Sequence, residues 1–257
     1  MRILFIGDIV AQPGRKVVEK ILPTLRTSDN IGLVIANCEN LAHGRGINEP
    51  AIKEMQMAGI DYFTSGDHVF WQKGTEDVIE KYPIIRPSNY PKGTIGKGSA
   101  VIDLGHNGQV LLVNLMGRTF LNERLNDPFR EADEVLSSYK DQNFEAILVD
   151  FHAEATSEKM AMGFYLDGRV TAVVGTHTHV PTCDCFAMPK GTLFVSDIGM
   201  SGIIDSVLGV KKDIILRQYL SGMNQKFEWE EEGRCVFRSV LIDTEAKTIE
   251  RRDFFDK

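Results

Sequence analysis

The chain has 257 residues, 43% of them apolar and 25% charged, an ordinary globular balance with enough apolar material for a full core in one large domain or two small ones. Its net charge is −7 and no basic block or Arg/Lys stripe occurs, which argues against a nucleic-acid duplex as partner but not against a small phosphate ester. No apolar run approaches the length of a membrane span. The opening "MRILFIGDIV" is broken by Gly7 and Asp8 before it reaches signal-peptide length, so the chain reads as cytoplasmic with reduced thiols.

In chain order, "RILFIG" (2–7) reads as a buried strand and "PGRKVVEKILPTLR" (13–26) as a helix entered through Pro13. "GLVIAN" (32–37) is the next strand. Residues 48–59 form a helix capped by Asn48 and stopped by Gly59, and "DYFTSG" (61–66) is a third strand. "GSAVIDLG" (98–105) and "QVLLVNLMG" (109–117) are joined by a short turn, the signature of an antiparallel hairpin. A helix over 127–139 precedes a strand at 145–152, and a helix over 156–166 precedes a strand at 169–177. A strand at 191–199, a helix near 211–221 and the segments "CVFRSVLID" and "KTIERRD" complete the chain. Early βαβ units followed by mixed strands predict an α/β fold with helices outside a central pair of sheets. No repeat, low-complexity tract or linker interrupts this order, so residues 1–257 read as a single domain.

Ligands of open α/β sheets sit beyond the carboxyl ends of strands. Five predicted strand ends carry reactive groups: Gly7-Asp8, Asn37-Cys38-Glu39-Asn40, Gly66-Asp67-His68, Asp150-Phe151-His152 and Gly175-Thr176-His177-Thr178-His179. Taken singly, Asp8 fits a helix cap, Glu39-Asn40 fits loop polarity and His152 fits a satisfied core histidine. Together they point to a metal site. His177 and His179 are two apart, and on extended backbone such side chains share a face and reach one locus. Mixed nitrogen and oxygen donors suit borderline divalent ions such as iron, manganese, cobalt or zinc. Two such ions about 3.5–4 Å apart clamp the attacking and leaving oxygens of phosphoryl transfer. Cys183-Asp184-Cys185 is too weak a pattern to signal a second metal or redox site. His43 fits a pocket border and a solvated loop equally, His106 reads as a turn residue, and Arg45 and Arg118 could meet phosphate but read better as surface residues.

The ordered set "GD", "NCEN", "GDH", "DFHAE" and "GTHTH" resembles the calcineurin-like metallophosphoesterases. The text around it ("MRILFIGDIVAQPGR", "ANCENLAHGRGI", "DFHAEATSEK") is similar to the YmdB-type branch, over nearly the whole chain. The resemblance implies a four-layer α/β/β/α sandwich with a dinuclear centre. It implies a phosphodiesterase acting on small phosphodiesters such as 2′,3′-cyclic nucleotides, and self-association into a homo-oligomer. Asp8, Glu39, Asn40 and His179 would hold one metal, Asp67, His152 and His177 the other, with Glu39 bridging. The ions would be two divalent transition metals, iron first, with manganese or zinc as alternatives. His68 would not ligate but would face the scissile phosphate as general acid, while a hydroxide bridging the ions attacks phosphorus. Two positions depart from the wider superfamily: Val10 stands where many members carry a histidine, with Asn40 filling the gap, and Asp67 replaces the usual asparagine of "GNH".

Two rival readings remain at this point. One is a regulatory protein that binds metal and nucleotide with little turnover; the presence of His68 speaks against it. The other is a bare nucleotide-binding domain, which lacks the glycine-rich phosphate loop it would need.

Overall fold

Residues 1–256 are described by the computed structural model. Strand β1 (Arg2–Ile6) is followed by a two-residue strand β2 (Asp8–Ile9), helix α1 (Ala11–Ser28) and strand β3 (Leu33–Asn37). Helix α2 (Glu49–Ala58) begins where Asn48 Oδ1 accepts the Ala51 N–H at 3.0 Å and ends at Gly59 with φ 111°, as its sequence signals predict. Strand β4 (Tyr62–Thr64) and a short helix α3 (Thr75–Lys81), not anticipated from periodicity, follow. The expected hairpin is β5 (Ser99–Asp103) with β6 (Gln109–Met116), antiparallel. Helix α4 (Pro128–Ser138), capped by Asp127, leads to β7 (Ala146–His152), and α5 (Thr156–Leu166) leads to β8 (Ala172–Thr176). The chain closes through β9 (Phe186–Ala187), β10 (Leu193–Val195), β11 (Met200–Ile203), α6 (Lys212–Ser221), β12 (Cys235–Phe237), β13 (Ser239–Asp243), β14 (Thr248–Arg251) and β15 (Phe254–Asp256).

These strands build a mixed α/β fold with three sheets, in the orders β14-β13-β1-β3-β4, β5-β6-β7-β8-β10-β9 and β15-β12-β11-β2. Alternation along each strand distributes side chains between faces. Ile3 and Phe5 of β1 share a core with Val110 and Leu112 of β6 and Leu148 of β7, so the two larger sheets pack face to face. Leu4 and Ile6 turn the other way, onto Val18 and Leu22 of α1 and Ile52 and Met55 of α2. On the second sheet Leu111, Val113 and Val149 face Val135 of α4 and Met162 and Leu166 of α5. Both faces of the central strands are therefore covered, which is why "ILFI" is an unbroken apolar run.

The small third sheet was not legible in the sequence. Its strands are two to four residues long. The stretch "CVFRSVLID" divides at Arg238, with β12 joining the small sheet and β13 pairing with β1 in the large one. Among the described residues no helix is long and apolar enough to cross a membrane.

Candidate metal centre

The carboxyl ends of β3, β4, β7 and β8, from both large sheets, open onto one locus together with β2. Asp8 enters from β2, Glu39 and Asn40 follow β3, Asp67 and His68 follow β4, His152 is the last residue of β7, and His177 and His179 follow β8. Asp8, Glu39, Asn40 and His152 are at most 1% exposed.

Glu39, Asp67, His152 and His177 each offer one ligand atom, all within 4.8 Å of one another. His152 Nε2 lies 3.1 Å from Asp67 Oδ1, 3.1 Å from His177 Nδ1 and 3.4 Å from Glu39 Oε1. Bonds of roughly 2.1 Å to a tetrahedral or octahedral ion would separate neighbouring ligand atoms by roughly 3.0–3.4 Å, so these donors are spaced to hold a metal ion. Gly66 leaves the room: a Cβ there would come within 2.2 Å of His152 Nε2 and 2.4 Å of Glu39 Oε2.

Neighbouring groups aim the imidazoles. The Thr176 hydroxyl donates to Asp150 Oδ1 at 2.7 Å, so its oxygen accepts from His152 Nδ1–H at 2.9 Å. That fixes the proton on Nδ1 and turns the Nε2 lone pair into the cluster. His177 Nε2 meets Glu154 Oε2 at 3.1 Å, leaving Nδ1 for the cluster. His179 Nδ1 donates to the Leu208 carbonyl at 3.1 Å, which directs Nε2 towards Asn40 and Asp8.

A second donor group lies beside the first. The Asn40 amino nitrogen is 3.1 Å from Glu39 Oε1, 3.3 Å from His179 Nε2 and 3.5 Å from Asp8 Oδ1. Its carbonyl oxygen meets His68 Nδ1 at 2.9 Å. A 180° turn of the amide exchanges these roles. It brings a fourth acceptor among Asp8, Glu39 and His179, a set that suits a cation. Glu39 Oε1 faces both groups.

Charge follows the same pattern. Burial pushes the Glu39 carboxyl up, but the charge of His152 together with hydrogen bonds from His152 and His68 outweighs it and holds Glu39 below the ordinary carboxylate range. Burial likewise raises Asp67, and hydrogen bonds from His152 and His177 more than reverse it. For His152 burial works downward, yet the charge of Glu39 and the bond to Asp67 push it well above the usual imidazole range. Burial also works against protonation of His68, and Glu39 and Asp67 overcome it. Asp8 is raised by burial, only partly offset by His179 and His152. Asp150 is pushed up to about 7 by desolvation, which the charge of His152 and hydrogen bonds from Thr64 and Thr176 only partly offset. The field that draws a proton onto His152 also favours a cation.

One sequence expectation is corrected. His177 and His179 do not share the face of a strand. Strand β8 stops at Thr176, and both histidines adopt left-handed backbone, with φ 101° and 64°. Their rings diverge, His177 to Asp67 and His152, His179 to Asn40 and Asp8. This turn is pinned: Asp8 Oδ2 accepts the His177 N–H at 3.2 Å, and Asp197 Oδ2 accepts the Thr178 N–H at 3.0 Å. Lys159, 1% exposed, holds Asp197 Oδ2 at 2.6 Å and the Thr176 carbonyl at 2.8 Å.

Outside the cluster, His106 lies in the turn between β5 and β6, and Arg118 pairs with Asp127 at 3.0 Å. His43 is exposed and Cys183 and Cys185 are free thiols. Arg45 departs from its expected surface role, since its guanidinium lies over the Trp71 ring. Thr176, Glu154, Gly66 and the Lys159–Asp197 pair were missed as contributors. Gly66, Glu154 and Thr176 sit within "GDH", "DFHAE" and "GTHTH", but nothing local marks the Lys159–Asp197 pair.

A family model described as YmdB-like protein matches residues 4–254. The chain is 43% identical over 250 residues to the 2′,3′-cyclic-nucleotide 2′-phosphodiesterase of Bacillus subtilis (strain 168), covering 96% of this chain and 93% of that protein. Among solved structures, a hypothetical protein from Thermus thermophilus superposes with a TM-score of 0.93 at 40% identity, covering 100% of both chains. A structure titled as a novel phosphatase from Mycoplasma pneumoniae gives a TM-score of 0.90 at 30% identity, covering 100% of this chain and 93% of that one.

Proposed function

The chain belongs to the YmdB-like protein family, and from that membership and the donor geometry we propose that it is a metal-dependent phosphodiesterase hydrolysing small phosphodiesters, 2′,3′-cyclic nucleotides in particular. The observation that carries this reading is the convergence of two adjoining donor groups on Glu39. Asp67, His152 and His177 would hold one divalent transition metal ion and Asp8, Asn40 and His179 a second, with Glu39 shared. Iron suits the nitrogen–oxygen donor set, as do manganese and zinc. When bound, the ions supply Lewis acidity towards the phosphate and acidify water.

The remaining chemistry belongs to the chain. His68 is held beside the cluster, with its backbone N–H donating to Glu39 Oε2 at 3.1 Å and its Nε2 3.3 Å from Asp67 Oδ2. The side chain keeps 19% of its surface open, enough to meet a substrate. Its role is to donate a proton to the leaving alkoxide, which is otherwise a poor leaving group. Glu154 and the Asp150–Thr176 relay hold His177 and His152 in orientation. The stacked cores on the faces of the two large sheets support a four-layer α/β/β/α sandwich, in one domain spanning the chain.

The deciding experiment is a substrate panel on protein reconstituted in turn with iron, manganese and zinc. Turnover of a 2′,3′-cyclic nucleotide that depends on the added metal and on His68 supports the enzyme. Tight metal and nucleotide binding without turnover in all three forms favours a regulatory binding protein instead.

A further inference from the structure

Beside His68 stands a cation without a carboxylate partner among the described residues. Arg45 lies in the loop after β3, and its guanidinium carbon sits 4.8 Å from the centre of the Trp71 ring and 5.4 Å from that of Phe227. Its Nε is buried with no hydrogen-bond partner, and the side chain makes no ion pair among the described residues. Trp71 is 57% exposed and meets the His68 ring edge-on at 5.1 Å. Arg45 also borders a cavity of about 450 Å³ walled by Phe227, Trp229 and Lys226. The loop is built for this approach: Gly44 has φ 81°, and a Cβ on it would fall 2.0 Å from the Trp229 ring.

With both rings close to the guanidinium carbon, what it has left to offer is its N–H edge. That edge only donates, and a desolvated donor without a partner is costly. It suits a planar group rich in acceptors. Trp71 beside it is an exposed stacking surface. If His68 serves the leaving oxygen, whatever that oxygen carries lies on the His68 side of phosphorus, where Trp71 and Arg45 stand. For a cyclic nucleotide this is the ribose and its base.

We infer that Arg45 and Trp71 form a nucleoside subsite, in which Trp71 stacks on the base and Arg45 donates to its acceptor edge. The inference rests on the phosphodiesterase reading and adds to it a basis for preferring nucleotides over other diesters.

The test compares a 2′,3′-cyclic nucleotide with ribose 2′,3′-cyclic phosphate, which lacks the base, on the metal-loaded protein. Arg45→Met keeps an apolar stem beside the rings and removes the donors; Trp71→Ala removes the stacking surface. Each should lower kcat/KM for the nucleotide about 10- to 100-fold, the scale of one charged hydrogen bond or one stacked base, and change that for the base-free diester less than about threefold. Equal losses on both substrates would assign these residues to the phosphate or to folding and overturn the subsite; no loss on the nucleotide would do the same. If the parent protein cleaves neither diester, the enzymatic reading fails separately. Nucleoside 3′-monophosphate should still quench tryptophan fluorescence through Trp71, and Trp71→Phe, which leaves Trp229, should abolish the quench. A quench that survives this substitution overturns the subsite.

Discussion

Thr176 connects His152 to Asp150, accepting from the imidazole at 2.9 Å and donating to the carboxylate at 2.7 Å. All three are fully buried, so no water substitutes for the hydroxyl. Removing it frees the His152 ring to rotate and to place its proton on Nε2. Thr176→Val, a near-isosteric change, should weaken metal binding about 10- to 100-fold, the usual cost of losing such a support. Thr176→Ser should restore it. Competition with a chelator at fixed pH measures both, and equal affinity in the parent and Thr176→Val would show that the relay does not orient His152.

Gly66 sets the floor of the cluster. In Gly66→Ala the new methyl would occupy the space between His152 and Glu39. The protein should fold and bind little or no metal, because neither neighbour can retreat: both are at most 1% exposed. Far-ultraviolet circular dichroism together with elemental analysis separates this from unfolding. A folded Gly66→Ala protein with full metal content would place the ion elsewhere.

Glu39 faces both donor groups, and so Glu39→Ala should empty both. Elemental analysis after reconstitution should approach two metals per chain in the parent and fall close to zero in the variant. Retention of one equivalent would mean that Glu39 serves a single ion.

His68→Ala should keep the metals and lose roughly 10²–10⁴-fold in rate, the scale of a general acid. The loss should shrink for a nitrophenyl ester, whose leaving group needs no proton. A loss of the same size on both kinds of ester removes the acid role.

The Lys159–Asp197 pair, 1% exposed on each side, carries the turn that presents His177 and His179. Asp197→Ala strands the ammonium on the Thr176 carbonyl alone and should lower stability by about 3–5 kcal/mol, the cost of leaving a buried charge unpaired. Urea denaturation of the metal-free protein reads this directly. A loss under about 1 kcal/mol, the range of exposed pairs, would show that the lysine finds water.

Much of this molecule is local in origin. "RILFI" and "LVIAN" are unbroken apolar runs because sheets covered on both faces require them, and Asn48 and Gly59 mark a helix by chemistry within a few residues. Strand-end positions told which polar residues converge, since Asp8, Glu39, Asp67, His152 and His177 follow from chain order and the habit of α/β sheets. Other features depend on contacts far apart in the chain. The division of "CVFRSVLID" at Arg238 reflects two sheets competing for one segment. The left-handed turns at His177 and His179 persist because Asp8 and Asp197, 169 and 19 residues away from the N–H groups they accept, pin the backbone. Periodicity carries no trace of such bonds, so the sequence named the donors while tertiary packing decided the directions in which they point.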